Sequence, residues 1–327
     1  MNKMIKFSII LLYMNFFLLM FNNNFLIKWI IYEFSMILMI FMLNFNNSNK
    51  MISILYYSIS SISSIMFLFF MIINNNLMFS FINSKFLMNF FMLNMLLKLS
   101  MFPFHSWMIY CYEKSSWQQI FFLSTIMKFI PISFFCHFLS IWFYMLILLT
   151  LNSIFMSIYI NINFSLKKLI ACSTSFNNTL MIMMFLTSMK QFIMFCIMYS
   201  MILYCLIYIL KLSHSKLFIM LNMKYLNYLI KLWLLIYSML PLMMTFMIKW
   251  NFLFEMMNFN IYMNMFILLY LMSSLLFLWK YLIIFKKISL KNSFYIYYKS
   301  NIKINLCLFI YSTLYLFMFI MFNLTNN

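Results

Sequence analysis

The chain has 327 residues, of which 67% are hydrophobic and only 8% charged. Soluble domains carry roughly a quarter charged residues, so this composition excludes a water-soluble fold and makes the bilayer the natural solvent. The formal charge of +19 comes from lysines scattered between apolar runs. A nucleic-acid-binding face needs them clustered on a soluble scaffold, so no nucleic-acid partner is expected.

An apolar run of about 18 to 22 residues spans the hydrocarbon core. Eleven such runs follow one another, near 4–21, 25–43, 52–73, 86–101, 119–139, 141–160, 169–187, 191–210, 226–247, 262–284 and 305–323. The fold class expected is all-α, a polytopic transmembrane helix bundle forming a single membrane domain over 1–327. The first run, behind Lys3 and Lys6, looks like a signal peptide. It lacks a small-residue cleavage pattern and a second span follows at once, so it reads as a first transmembrane helix. No cleavable import sequence is visible. The fourth run is short, and the fifth and sixth are nearly continuous.

Eleven spans put the N-terminus and the loops near 44–51, 102–118, 161–168, 211–225 and 285–304 on one side. That side collects Lys3, Lys6, Lys50, Lys114, Lys167, Lys168, Lys211, Lys216, Lys224, Lys286, Lys287, Lys291, Lys299 and Lys303, while the other holds little beyond Lys28, Lys85 and Lys190. The asymmetry supports the span count and orients the chain. The segment 285–304 mixes Lys with Tyr and Ile, and reads equally as a surface-lying stretch or a solvated loop.

The chain contains no Gly, Val, Arg or Asp, and its single Ala is Ala171. The abundant residues are those spelled by codons rich in A and T. This points to an A+T-rich organelle genome, with mitochondria the leading source, and makes a Met or Phe stripe uninformative. Cys111, Cys136, Cys172, Cys196, Cys205 and Cys307 include no CxxC pair, and His105, His137 and His214 are dispersed. Neither a metal site nor a disulfide is expected.

The informative residues are charges inside apolar runs. Glu33 lies mid-way along the second run, where an ionised carboxylate needs a cationic partner or a wet cavity; a structural ion pair or a helix-end position is the plainer explanation. Lys98 ends the fourth run and Lys249 follows the ninth, and both also read as lysines snorkelling to the interface. Lys128 lies inside the fifth run, where snorkelling is harder. The three prolines each lie near one of these lysines: Pro103 after Lys98, Pro131 after Lys128, Pro241 before Lys249. A proline leaves the carbonyl four residues back without its helical bond, which would free Leu99, Met127 and Tyr237. Broken helices bearing ionisable residues are what ion-translocating proteins place at mid-membrane.

These residues resemble the subunit 2 family of mitochondrial NADH:ubiquinone oxidoreductase, respiratory complex I. The motifs are Trp29-x-x-x-Glu33, the run Lys98–Leu99–Ser100–Met101–Phe102–Pro103–Phe104–His105–Ser106–Trp107, Lys128 with Pro131–Ile132–Ser133, Leu166–Lys167–Lys168 through Ser175, and Pro241…Phe246…Lys249–Trp250. They occur in the family's order, and the length matches the shortened animal form, with an arthropod the expected source. The resemblance implies two inverted five-helix bundles, each with a broken, lysine-bearing helix. It implies a proton relay of Glu33, Lys98, Lys128 and Lys249, helix breaks at Pro103, Pro131 and Pro241, and His105 as relay support. It further implies a mitochondrial inner-membrane protein with its N-terminus on the matrix side. Its partners would be neighbouring antiporter-like and small membrane-arm subunits, and lipids such as cardiolipin. No cofactor is expected in this chain; NADH, FMN, iron–sulfur clusters and ubiquinone belong elsewhere in the complex.

The chain departs from the family where glycines are usual. Ser100 replaces one and Asn178 another, so the breaks must be made without glycine. Two other functions fit the same residues: a free-standing cation/proton antiporter of the same ancestry, and a non-catalytic anchoring subunit whose lysines pair structurally.

Overall fold

The computed structural model describes residues 3–44, 50–75, 84–139, 143–162, 165–212, 224–238, 244–257 and 261–292. Within them the chain is helical, in thirteen elements: α1 (Lys3–Phe21), α2 (Phe25–Asn44), α3 (Met51–Asn75), α4 (Ser84–Leu99), α5 (Ser106–Lys114), α6 (Trp117–Ser124), α7 (Ile126–Cys136), α8 (Phe143–Ile162), α9 (Leu166–Thr187), α10 (Met189–Leu212), α11 (Lys224–Tyr237), α12 (Met244–Met257) and α13 (Ile261–Asn292). Seven of the described helical stretches are long and apolar enough to cross a membrane. The protein is a multi-pass helix bundle. The last predicted run, Cys307 and Pro241 lie outside the described residues.

Two stretches differ from the sequence expectation. The short fourth run does not stop at a loop: α4 breaks after Leu99 and resumes as α5, which buries Met108, Ile109, Cys111 and Tyr112. The ninth run, expected to be continuous over 226–247, is two helices, α11 ending at Tyr237 and α12 starting at Met244. An apolar count does not register a break, because the residues around it remain apolar. Part of the expected 285–304 segment is helical, since α13 continues to Asn292.

Contacts between helix ends confirm the alternating path. At one end Gln119 Nε2 donates to the Leu43 carbonyl (2.8 Å), Lys168 pairs with Glu113 (3.3 Å), and Lys280 Nζ donates to the Asn161 carbonyl (2.6 Å). At the other end Gln191 Nε2 donates to Glu255 Oε1. Lysines at a helix C-terminus satisfy open carbonyls and complement the helix dipole: the orienting charge Lys167 does so on the Glu113 and Ser115 carbonyls at the end of α5, and Lys280, from within α13, at the end of α8.

Lipid supplies no hydrophobic force between helices, so association relies on packing and interhelical polar contacts. The outer helices accordingly leave Ile30, Ile37, Ile54 and Leu275 exposed, whereas α9 lies at the centre, 94% buried against 39% for α2. It packs against α5, α7, α8 and α10. Hydroxyls inside these helices are satisfied locally. On α3, Ser60, Ser61, Ser63 and Ser64 each donate to the carbonyl three residues back. This lets a hydroxyl sit in the membrane without a partner on another helix.

Candidate functional site: a chain of buried lysines

The first part of the site lies between α2 and α4. Trp29, Tyr32 and Glu33 share one face of α2 by helical spacing, as Asn94 and Lys98 share one face of α4. Lys98 is buried, its ammonium 4.6 Å from the ring centre of Tyr56 and 5.9 Å from that of Tyr32. It lies in the last turn of α4, where the helix dipole favours a cation. Glu33 and Lys98 interact electrostatically without closing an ion pair. Trp29 Nε1, Tyr32 Oη, Glu33 Oε1, Asn94 Oδ1 and Lys98 Nζ are all buried without a hydrogen-bond partner. Each such atom costs about 1 to 3 kcal/mol, and several together mark a place built for something other than static packing.

The break after α4 holds the second part. The Leu99 carbonyl, freed as the Pro103 spacing predicts, receives Lys128 Nζ (2.6 Å) and Asn178 Nδ2 (3.0 Å). Lys128 Nζ also donates to Ser100 Oγ (2.8 Å) and lies 5.8 Å from the Trp107 ring centre. Ser100 has φ 55°, the left-handed region that favours glycine, which explains how a family glycine fits here. Asn152 ties the break down from α8, its Oδ1 accepting from the Phe102 N–H (2.7 Å) and its Nδ2 donating to the Ser175 carbonyl (3.0 Å).

Around Lys128 the helix is interrupted at Thr125 (φ −110°, ψ −90°), and Pro131 lies inside α7. The break expected at the proline thus sits one and a half turns earlier. There the Lys128 N–H bonds the Thr125 carbonyl three residues back (2.9 Å), a tighter turn that absorbs the irregularity. Lys98 immediately precedes Leu99, whose carbonyl holds Lys128, so the two buried lysines flank the same break.

Lys249, on α12, forms the third part. Its Nζ donates to Asn177 Oδ1 (3.2 Å) and lies 5.6 Å and 5.8 Å from the ring centres of Phe176 and Tyr270. A cavity of about 360 Å³ adjoins it, lined by Ser173, Asn177, Tyr237, Tyr270 and Tyr281 among others. Tyr270 and Tyr281 carry buried hydroxyls without partners, whereas Tyr237 shares hydrogen bonds with Ser173 and with Tyr199 (3.4 Å to the latter). The lining is mostly apolar, with Lys249, Asn177 and the tyrosine hydroxyls as its polar points, and the volume is large enough for water at those points.

Of the residues singled out from sequence, Lys98 and Lys128 thus meet at one break and Glu33 faces the first of them. Lys249 stands apart, joined through α9. His105 stands just before α5 without a side-chain capping bond, its Nδ1 3.3 Å from the Pro103 carbonyl and its ring against Phe155 and Tyr159; no hydrogen bond joins it to a lysine. Sequence reading passed over Asn177 and singled out Asn178 only as standing in a glycine's place, although a run of Ser, Thr and Asn inside a span is itself a signal of an interior helix. It placed Lys28 among the loop charges and passed over Lys231 and Lys280, and all three are buried. Among the described residues no group of His, Cys, Asp and Glu could hold a metal.

No protein-family model matches the chain. It is 37% identical over 286 residues to NADH-ubiquinone oxidoreductase chain 2 of Apis mellifera ligustica, covering 86% of this chain and 84% of that protein. Its fold matches a chain of respiratory complex I from Thermus thermophilus solved with bound aureothin, with TM-score 0.72 and 14% identity over 86% of this chain and 69% of that one. It also matches a chain of the membrane-bound sulfane sulfur reductase, an archaeal respiratory membrane complex, with TM-score 0.69 and 13% identity over 90% of this chain and 68% of that one. Those two likenesses concern the fold alone, but the insect relative matches in sequence over nearly the whole length, and the chain belongs to the NADH-ubiquinone oxidoreductase chain 2 family.

Proposed function

We propose that the chain moves protons within the membrane arm of respiratory complex I, through Glu33, Lys98, Lys128 and Lys249. As a chain 2 family member it is a core membrane subunit of the proton-translocating NADH:ubiquinone oxidoreductase. The observation that carries the relay is the seat of Lys128. A buried ammonium rests on a carbonyl freed by a helix break, beside a second buried lysine that has no hydrogen-bond partner. An isolated lysine at a helix centre costs about 2.5 to 3.5 kcal/mol, and three buried lysines with a half-buried glutamate before them argue for a use.

Electron transfer happens in other subunits, which would hold NADH, FMN, the iron–sulfur clusters and ubiquinone. In this chain the chemistry is proton exchange between amines. Glu33, when ionised, stabilises a protonated Lys98; when its charge is withdrawn or engaged elsewhere, Lys98 gives up its proton. Lys128, one break away, is the acceptor. The Leu99 carbonyl and Ser100 hydroxyl hold its ammonium form, and Ser100 can also donate to its neutral form. Lys249, beside the cavity, is the outlet station. The chain would sit in the mitochondrial inner membrane, its N-terminus and lysine-rich loops on the matrix side, against neighbouring antiporter-like subunits, small subunits and lipids such as cardiolipin.

The test is Lys128→Met in the assembled complex, reconstituted into sealed vesicles. Proton uptake driven by NADH oxidation falls steeply if the relay runs through Lys128; coupled pumping at the normal rate would remove the residue from the path. A free-standing antiporter is separated from this reading by native-gel migration, where the complex I subunit travels with a very large assembly and never as a small lone species.

A further inference from the structure

The polar run Ser173–Thr174–Ser175–Phe176–Asn177–Asn178–Thr179 is buried throughout the middle of α9. Its hydroxyls look after themselves: Ser173, Thr174, Ser175 and Thr179 each donate to the carbonyl three residues back. The two amides do not. Consecutive residues on a helix point about 100° apart, and these two reach different lysine sites. Asn177 Oδ1 accepts from Lys249 Nζ (3.2 Å). Asn178 Nδ2 donates to the Leu99 carbonyl, the same oxygen that holds the Lys128 ammonium. Asn178 is fully buried, and its Oδ1 has no partner. A good acceptor oxygen therefore stands unpaired one shared carbonyl away from a buried cation on a flexible four-carbon stem.

We infer that Asn178 is a positioning residue for Lys128, its side-chain oxygen being a second seat that the Lys128 ammonium takes on leaving the Leu99 carbonyl. The move brings the charge toward α9, where the adjoining Asn177 holds Lys249. No bond to hydrogen is broken in the move; the lysine exchanges one oxygen acceptor for another, while Asn178 keeps its own donor bond to Leu99. The inference rests on the reading of Lys128 as a relay group.

The test compares Asn178→Leu, which keeps the branched shape without the amide, with Asn178→Thr, which returns a hydroxyl, in the intact complex. Lys128→Met serves as the control. Asn178→Leu is expected to lower NADH:quinone turnover per assembled complex about tenfold, the size of one lost hydrogen bond to a charged group, with the KM for quinone unchanged. Asn178→Thr should recover most of that loss. Wild-type turnover per complex in the leucine variant, with only complex abundance reduced, would make Asn178 a cap on the Leu99 carbonyl and overturn the proposal. If the leucine variant does not assemble, Asn178→Asp decides: it keeps the acceptor and pins Lys128, so turnover per complex should again fall about tenfold or more, and normal turnover refutes the second seat. Failure of every variant at this position to assemble also counts against it, as the mark of a structural residue. Should Lys128→Met pump normally, the relay reading fails; should it fail to pump while Asn178→Leu works normally, only this inference does.

Discussion

The two broken spans are built from the same parts and finished differently. In α4–α5 the lysine before the break, Lys98, has aromatic neighbours and no hydrogen bond, while the break itself is clamped by Lys128, Asn178 and Asn152 from three other helices. In α11–α12 the lysine after the break, Lys249, has a single hydrogen bond and a cavity beside it. Four spans lie between the two, so with alternating crossings the second runs in the opposite direction to the first. The difference separates roles: a clamped node where Lys128 is held on the break, and a roomier station where Lys249 adjoins a cavity.

That contrast can be broken by substitution, most severely at its centre. Lys128→Met should lower pumping roughly a hundredfold, the usual scale for removing a group that exchanges the proton, read as proton uptake per NADH oxidised. Lys128→Arg should do nearly as badly, because a guanidinium stays protonated and its fork does not fit the two acceptors that suit an ammonium. Lys249→Arg sharpens the comparison: the neighbouring cavity can take the larger head, so assembly should survive while pumping falls, as a fixed charge cannot release a proton. Equal assembly losses for both arginine variants would erase the distinction between tight and roomy sites.

Smaller effects follow at the edges. Ser100→Gly relieves a left-handed residue, worth about 1 to 2 kcal/mol, and deletes the hydroxyl bonded to Lys128. Complex abundance should therefore hold or rise while turnover drops about threefold, the lower end for one hydrogen bond to a cation. Lys168→Ala removes the partly exposed pair with Glu113, which should change complex stability by less than about 0.5 kcal/mol, below the resolution of a thermal shift assay.

Most of the bundle was legible as apolar runs, and the relay lysines were legible because a charge inside such a run is expensive. Other features were less so. Hydropathy does not show where α4 and α11 end, because the residues around both ends stay apolar, and the prolines were the only signal there. The α7 irregularity falls at Thr125 rather than Pro131, since the backbone yields where a turn can tighten rather than where the bond is missing. Asn177 escaped notice, and Asn178 was noticed only in a glycine's place, because asparagine is common throughout a chain of this codon bias. Only their placement on the most enclosed helix separates them from the asparagines of the loops.

The most direct measurement is a structure of the assembled complex that resolves ordered water in the membrane arm. Waters on Lys98 Nζ and Glu33 Oε1, and filling the space between Lys249, Tyr270 and Tyr281, are the predicted result. A dry, fully packed interior around all these atoms, in every state of the turnover cycle, would contradict the relay and leave the lysines as structural pairs.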